Sequence, residues 1–187
     1  MMYRCLIANR GEIAVRIIRA CRELNIETVA IYAKGDENSL HVSLADQAIC
    51  IGEANPLDSY LNIDRIISAA KVTESNAIHP GYGFLSESTN FAKAVEDNHI
   101  HFIGPSKTTM EMMGDKITAR QTVKQAGVPV IPGSNDAVQS VDEIKLLAKE
   151  IGFPVVLKAA SGGGGKGIRI VKEASQLDLS LIHISEP

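Results

Sequence analysis

The stretch Lys158-Ala-Ala-Ser-Gly-Gly-Gly-Gly-Lys-Gly-Ile-Arg-Ile-Val171 sets four consecutive glycines between two short apolar runs, with a lysine closing the first run. Each glycine loses more backbone freedom on folding than any other residue and adds no side chain to a core, so the run weakens any hairpin that contains it. A ligand can offset that weakness. Amides without Cβ atoms approach phosphate oxygens closely and a lysine supplies a point charge, so the chemistry this spacing suits is a lid over a triphosphate. A flexible linker is the competing reading and predicts polar flanks. The flanks here, Phe153-Pro-Val-Val-Leu-Lys158 and Ile168-Arg-Ile-Val171, read as strands, which favours the lid. A Walker loop is excluded, because Ala160 stands where its first glycine belongs, Gly167 follows Gly165-Lys166, and the chain continues as a strand rather than a helix.

Two other loops join strand-like to helical segments. Asn9-Arg10-Gly11-Glu12 has one glycine where a dinucleotide fingerprint needs three, and no acid closes the second strand at Tyr32-Ala33, so an NAD site is rejected. Arg10 with the following helix terminus suits an anion at the sheet edge. Equally, Gly11 turns the chain and Arg10 is solvated. In His79-Pro-Gly-Tyr-Gly-Phe-Leu-Ser-Glu87, two glycines and a proline bracket Tyr82 ahead of a helix that Ser86 is placed to cap. This arrangement either exposes an aromatic ring and backbone amides to a ligand or forms a tight turn whose tyrosine packs on the core. No second histidine lies at metal spacing from His79, and no metal ligand is assigned.

The elements that carry these loops alternate. Arg4–Ala8, Thr28–Tyr32, Ala48–Ile51, Ala77–His79 and His101–Ile103 are strand-like, and helical spacing runs over Ile13 to Leu24, Leu61 to Val72 and Glu87 to Asp97. Strands separated by helices form a parallel sheet through right-handed crossovers, with the ligand edge at their carboxyl ends. Gly104-Pro105-Ser106 breaks the alternation. A short helix through Met112 and Met113, a helix from Ile117 to Gln125 and a third from Val141 to Ile151 follow, so a domain boundary falls near residue 114. Met110, Met112 and Met113 read as gap fillers beside that seam rather than soft metal ligands.

Composition bounds the partners. The 187 residues are 45% hydrophobic, and 19 Lys and Arg stand against 22 Asp and Glu, a formal charge of -3 that offers no basic field for nucleic acid or anionic lipid. No spanning or targeting segment is read, which favours a cytoplasmic location. Cys5, Cys21 and Cys50 stand singly in apolar segments and read as small core residues in a reducing compartment.

Taken together, Asn9-Arg-Gly-Glu-Ile-Ala14, Ala77-Ile-His-Pro-Gly-Tyr-Gly-Phe-Leu-Ser-Glu87, Phe102-Ile-Gly-Pro105, Met113-Gly-Asp-Lys116 and Phe153-Pro154 through Gly167 resemble the biotin carboxylases, ATP-grasp enzymes of the biotin-dependent carboxylases. The match runs in order over residues 3 to 178, and five linked motifs are far more specific than any one alone. The resemblance implies an α/β fold: a Rossmann-like parallel-sheet amino-terminal (pre-ATP-grasp) domain over 1–113, the start of an ATP-grasp domain with a glycine-rich lid over 114–178, and a tail, 179–187, that departs from the family pattern and lacks its helical periodicity. It implies ATP-dependent carboxylation of biotin on a carrier protein from bicarbonate, through carboxyphosphate, as in the first half-reaction of acetyl-CoA carboxylase in fatty acid synthesis.

By the same resemblance Lys116 and Lys158 match lysines that contact ATP, Gly164 and Gly165 match the lid backbone, Ile168 falls where an apolar side chain packs on adenine, and Tyr82 and Gly83 match the biotin-side loop. The implied cofactors and substrates are ATP, Mg2+, bicarbonate and carrier-bound biotin. The implied partners are a biotin carboxyl carrier protein, carboxyltransferase subunits and, at full length, a second copy of the chain, with neither nucleic acid nor membrane. Family members are more than twice this length. Their magnesium ligands, bicarbonate base and catalytic arginine fall beyond Pro187, so the resemblance implies no catalytic residue within these 187 and an inactive chain on its own. Two other readings stay open: another ATP-grasp ligase such as a carbamoyl phosphate synthetase-like enzyme, and a non-enzymatic nucleotide-binding module.

Overall fold

The computed structural model describes residues 3–134, 138, 140–158 and 167–180, with the side chain of Lys116 outside the description. The chain divides into two compact units, Met1–Glu111 and Met112–Pro187. In the first unit, β1 (Arg4–Ile7), β2 (Glu27–Ala33), β3 (Gln47–Gly52), β4 (Ala77–His79) and β5 (His101–Phe102) form one sheet in the order β3-β2-β1-β4-β5, every pair parallel. Helices α1 (Gly11–Glu23), α2 (Leu40–Leu44), α3 (Ile63–Val72) and α4 (Thr89–Asp97) connect them.

Because β1 is central it is apolar on both sides, as a parallel strand covered by two layers must be. Cys5 and Ile7 face Ala14, Ile17, Ile18 and Cys21 of α1, while Leu6 joins Val29, Ile31, Ile66, Ile78 and Phe91 on the side of α3 and α4. Helix α1 earns its place by period: Ala14, Val15, Ile17, Ile18 and Cys21 are the buried positions, spaced as one stripe of a 3.6-residue helix. Asn62 and Ser88 cap α3 and α4 through side-chain oxygens that accept from Arg65 N and Phe91 N.

In the second unit α6 (Lys116–Gln125) begins at an Asp115 cap and α7 (Val141–Ile151) at a Ser140 cap. Strands β6 (Val155–Lys158) and β7 (Ile168–Val171) form an antiparallel pair. Val155 and Val171 pack with Ala148 of α7 and Leu177 into a small core. Between the two sets, α5 spans Lys107–Gly114.

Several expectations change. Ser86 does not cap α4: its amide bonds Gly83 O at 2.9 Å in a turn, and the helix starts later, at the Ser88 cap. Helix α2 has no counterpart in the sequence reading, since five residues, Leu-His-Val-Ser-Leu, are too few to display a period. Cys50 is exposed rather than core, because it lies on β3, the sheet edge, on the face opposite buried Ile51; all three cysteines are free. Only Met110 fills a core gap, while Met112 and Met113 are exposed. Residues 177–180 are helical, anchored by buried Leu177, so the helical turn continues into the start of the tail despite its lack of period.

Candidate functional site

In a doubly wound sheet the crevice for ligands opens outside the carboxyl ends of the strands where the order reverses. Here that point is the β1–β4 neighbour pair, and both motif loops of the first unit leave from it. Asn9, 3% exposed, ties them together. Its Nδ2 donates to Pro80 O and to Tyr82 O, each at 2.8 Å, and its Oδ1 accepts from Arg10 N at 2.9 Å. Every polar atom of a buried amide is thereby used, which is what its burial requires.

The loop of residues 80–88 folds tightly over this amide. Gly81 has a φ of 67° and its amide donates to Nδ1 of His79 at 3.0 Å, so the ring proton of His79 sits on Nε2. Burial lowers the His79 pKa and keeps the imidazole neutral. Gly83 has a φ of 70° with open space where a Cβ would stand. Tyr82 between them is 58% exposed, which rules out a tyrosine packed on the core and leaves its ring facing outward, while Pro80 O, Tyr82 O and Gly81 N turn inward to Asn9 and His79.

Arg10 is neither simply solvated nor free for an anion. Its Nη1 donates to Asp36 Oδ2 at 3.1 Å, and its guanidinium carbon lies 5.1 Å from the Tyr60 ring centroid and 5.7 Å from that of Phe84. The two rings stack at 5.2 Å. Fully buried Tyr60 donates its hydroxyl to Asp36 at 2.7 Å and accepts from Ala33 N at 3.0 Å. Burial would raise the Asp36 carboxyl, yet the hydrogen bonds from Tyr60 and Arg10 outweigh it and hold the group below its ordinary value. Burial, then the Asp36 carboxylate, pushes the Tyr60 hydroxyl up, so it remains a donor. Asp36 and Tyr60 carried no mark in the sequence as members of this cluster; a single aspartate or tyrosine in a loop gives none.

In the second unit the strand register sorts the hairpin into two faces. Lys158 pairs with Ile168 and Val156 with Ile170. Val156, Ile168 and Ile170 are exposed, as is Lys158, while Val155 and Val171 on the opposite face are buried. One face of the hairpin is thus an open apolar surface with an ammonium at its edge, a shape that suits a flat heteroaromatic ring joined to an anion. Lys158 and Ile168 are therefore brought together, and Val156 and Ile170 join them from the alternation that the sequence displays. Lys116 is the first residue of α6 and its side chain lies outside the described residues, as do Gly164 and Gly165 altogether. Those four hairpin-face residues include no carboxylate, so they offer a metal ion no ligand. Among the described residues no helix is long and apolar enough to cross a membrane.

The family described as biotin carboxylase, N-terminal domain, matches residues 1–110, and the carbamoyl-phosphate synthase L chain ATP-binding domain matches residues 115–184. The chain is 55% identical over 177 residues to a biotin carboxylase of Bacillus subtilis, covering 95% of this chain and 39% of that protein. It is 47% identical to a solved biotin carboxylase of Campylobacter jejuni described as a β,γ-ATP complex, with a TM-score of 0.88 over 98% of this chain and 41% of that one. It is 50% identical to the biotin carboxylase domain dimer of Hydrogenobacter thermophilus 2-oxoglutarate carboxylase, solved with MgADP, ADP and bicarbonate, with a TM-score of 0.84 over 98% of this chain and 40% of that one. The chain thus spans about two fifths of the length of the relatives it matches.

Proposed function

The chain belongs to the biotin carboxylase family through its N-terminal domain, and from that premise we propose that, within a protein of its relatives' length, it takes part in the ATP-dependent carboxylation of biotin from bicarbonate. The protein acts as an ATP-dependent carbon–nitrogen ligase. Lys158 and Lys116 bind ATP, Ile168 packs on its adenine, Gly164 and Gly165 close over its phosphates, and Tyr82 and Gly83 form the biotin-side loop. The single observation that carries the nucleotide half is the Lys158–Ile168 register pair on an exposed apolar hairpin face. Cross-strand neighbours stand about 5 Å apart, so one ligand with an apolar ring and an anionic tail meets both.

MgATP supplies the phosphoryl group that activates bicarbonate, and the magnesium ligands lie outside the hairpin face. A carboxyl carrier protein presents the biotin, carboxyltransferase subunits use the product, a second copy of the chain completes a dimer, and the protein works in the cytoplasm without nucleic acid or membrane. Acetyl-CoA carboxylase, the entry to fatty acid synthesis, is the assembly this set of partners fits. The ATP-binding domain match over residues 115–184 favours a second reading, a carbamoyl phosphate synthetase-like ligase. The deciding measurement is bicarbonate-dependent ATP cleavage by the full-length protein with and without free biotin. Stimulation by biotin is expected. Cleavage that biotin leaves unchanged would favour the second reading, and nucleotide binding without cleavage would leave only a binding module.

A further inference from the structure

Three loops converge on one cluster at the carboxyl edge of the first unit's sheet. Arg10 follows β1, Asp36 follows β2 and Phe84 follows β4, while Tyr60 precedes α3 and bonds the end of β2 through Ala33 N. We propose that Arg10, Asp36, Tyr60 and Phe84 form a clamp that positions the loop of residues 80–88, so that Tyr82 and Gly83 are held ready for biotin. This rests on the reading of Tyr82 and Gly83 as the biotin-side loop.

The backbone motivates the clamp. Phe84 has a φ of 41°, a left-handed conformation that an L residue with a Cβ adopts only where its surroundings impose it. What imposes it is the ring of Tyr60, 5.2 Å away and within 9° of parallel, with the Arg10 guanidinium over both rings. Tyr60 cannot swing, because its hydroxyl is fixed at both ends by Asp36 and Ala33. Arg10 cannot swing while Asp36 Oδ2 accepts from it. Asp36 is thus the shared acceptor on which the whole arrangement turns. An ion pair between side chains 42% and 26% exposed contributes little to global stability, so its consequence is local. Tyr82 sits two residues before the strained Phe84 and is exposed, so its direction follows from how Phe84 is held.

These are positioning residues, and the test separates positioning from stability. Asp36→Asn keeps the shape of the side chain and removes its charge, Tyr60→Phe removes only the hydroxyl, and Arg10→Lys keeps the charge and loses the planar overlap. In the full-length protein, amide hydrogen exchange of a peptide spanning residues 80–88 should quicken by about tenfold in each variant, with exchange in β1 and β2 unchanged. The KM for free biotin should rise about five- to tenfold while the KM for ATP stays within about twofold. Tyr60 is fully buried, so if Tyr60→Phe fails to fold, the half-exposed Arg10→Lys decides. Unchanged exchange in folded variants overturns the clamp. Faster exchange with an unaltered biotin KM overturns its role toward biotin. Faster exchange in a protein whose wild type shows no biotin stimulation upholds the clamp and rejects the biotin reading beneath it.

Discussion

A Cβ placed on Gly81 would lie 2.9 Å from Asn9 Nδ2 and 3.0 Å from Ile13 Cγ1, at a φ of 67° that side-chain-bearing residues rarely adopt. Gly81→Ala therefore combines backbone strain with a clash against a buried amide, and should lower unfolding stability by about 2 kcal/mol in urea titrations. Asn9→Ala removes both donors from Pro80 O and Tyr82 O and should cost about 2 kcal/mol. Asn9→Asp is worse at pH 7, since it sets a carboxylate against two carbonyl oxygens. That burial and repulsion raise the introduced group's folded pKa, so its penalty should shrink as pH falls below that value, where a protonated carboxyl donates again. Equal stability of the alanine and aspartate variants across pH 4 to 7 would contradict the geometry. The sequence singled out Tyr82 and its flanking glycines because their types are rare in that arrangement. It did not show what Asn9 holds, because two of its three bonds reach residues more than seventy positions away, nor what Asp36 and Tyr60 hold, because their partners also lie far off in the chain.

Alternation along the β6–β7 hairpin divides what each substitution should do. Val171 is fully buried against Ala148 and Leu177, so Val171→Ala should destabilise by about 2 kcal/mol. Ile170 is 65% exposed on the opposite face, so Ile170→Ser should leave stability within about 0.5 kcal/mol. If that face carries the nucleotide, Ile170→Ser weakens ATP binding severalfold, and Lys158→Met weakens it about tenfold, ~1.4 kcal/mol. Fluorescence or calorimetric titration of the full-length variants with ATP checks both, and undiminished affinity in Lys158→Met would remove that lysine from the site. Strands and long helices were legible because period 2 and period 3.6 are local properties. Helix α2 was not, since one turn has no period to read, and the start of α4 was misplaced because Ser86 and Ser88 are equally good caps until the turn from Gly83 to Ser86 selects between them. The pairing of Lys158 with Ile168 follows from a hairpin register that no local pattern specifies.

At the scale of the whole molecule, alternating strands and helices foretold a parallel sheet, but not the order β3-β2-β1-β4-β5, which is fixed by pairings between segments far apart in sequence. The first unit carries two histidines and two aspartates whose shifted pKa values bear on its response to acid. Burial lowers the pKa of His41, 1% exposed, and of His79, so both are neutral in the folded state, and His41 Nε2 donates to Ile31 O at 3.2 Å. A base with a depressed folded pKa binds fewer protons when folded than when unfolded. Its contribution is therefore intact above the unfolded value, near 6.5, and is lost as pH falls below it. Asp46, held low by hydrogen bonds from Thr28 Oγ1 and Thr28 N, and Asp36, held low against its burial by Tyr60 and Arg10, behave as depressed acids. Their contribution is present above the unfolded carboxylate value, near 3.9, and disappears as pH falls through the lower folded value. The urea midpoint should accordingly drop in two stages, first as pH falls below about 6.5 and the unfolded histidines protonate, then again below about pH 4. Asp46→Asn, which removes the carboxylate that Thr28 holds, should flatten the second stage and spare the first. A midpoint that stays constant from pH 7 to 5, or a second stage as steep in Asp46→Asn as in the wild type, would show that these groups do not govern the unit's response to acid.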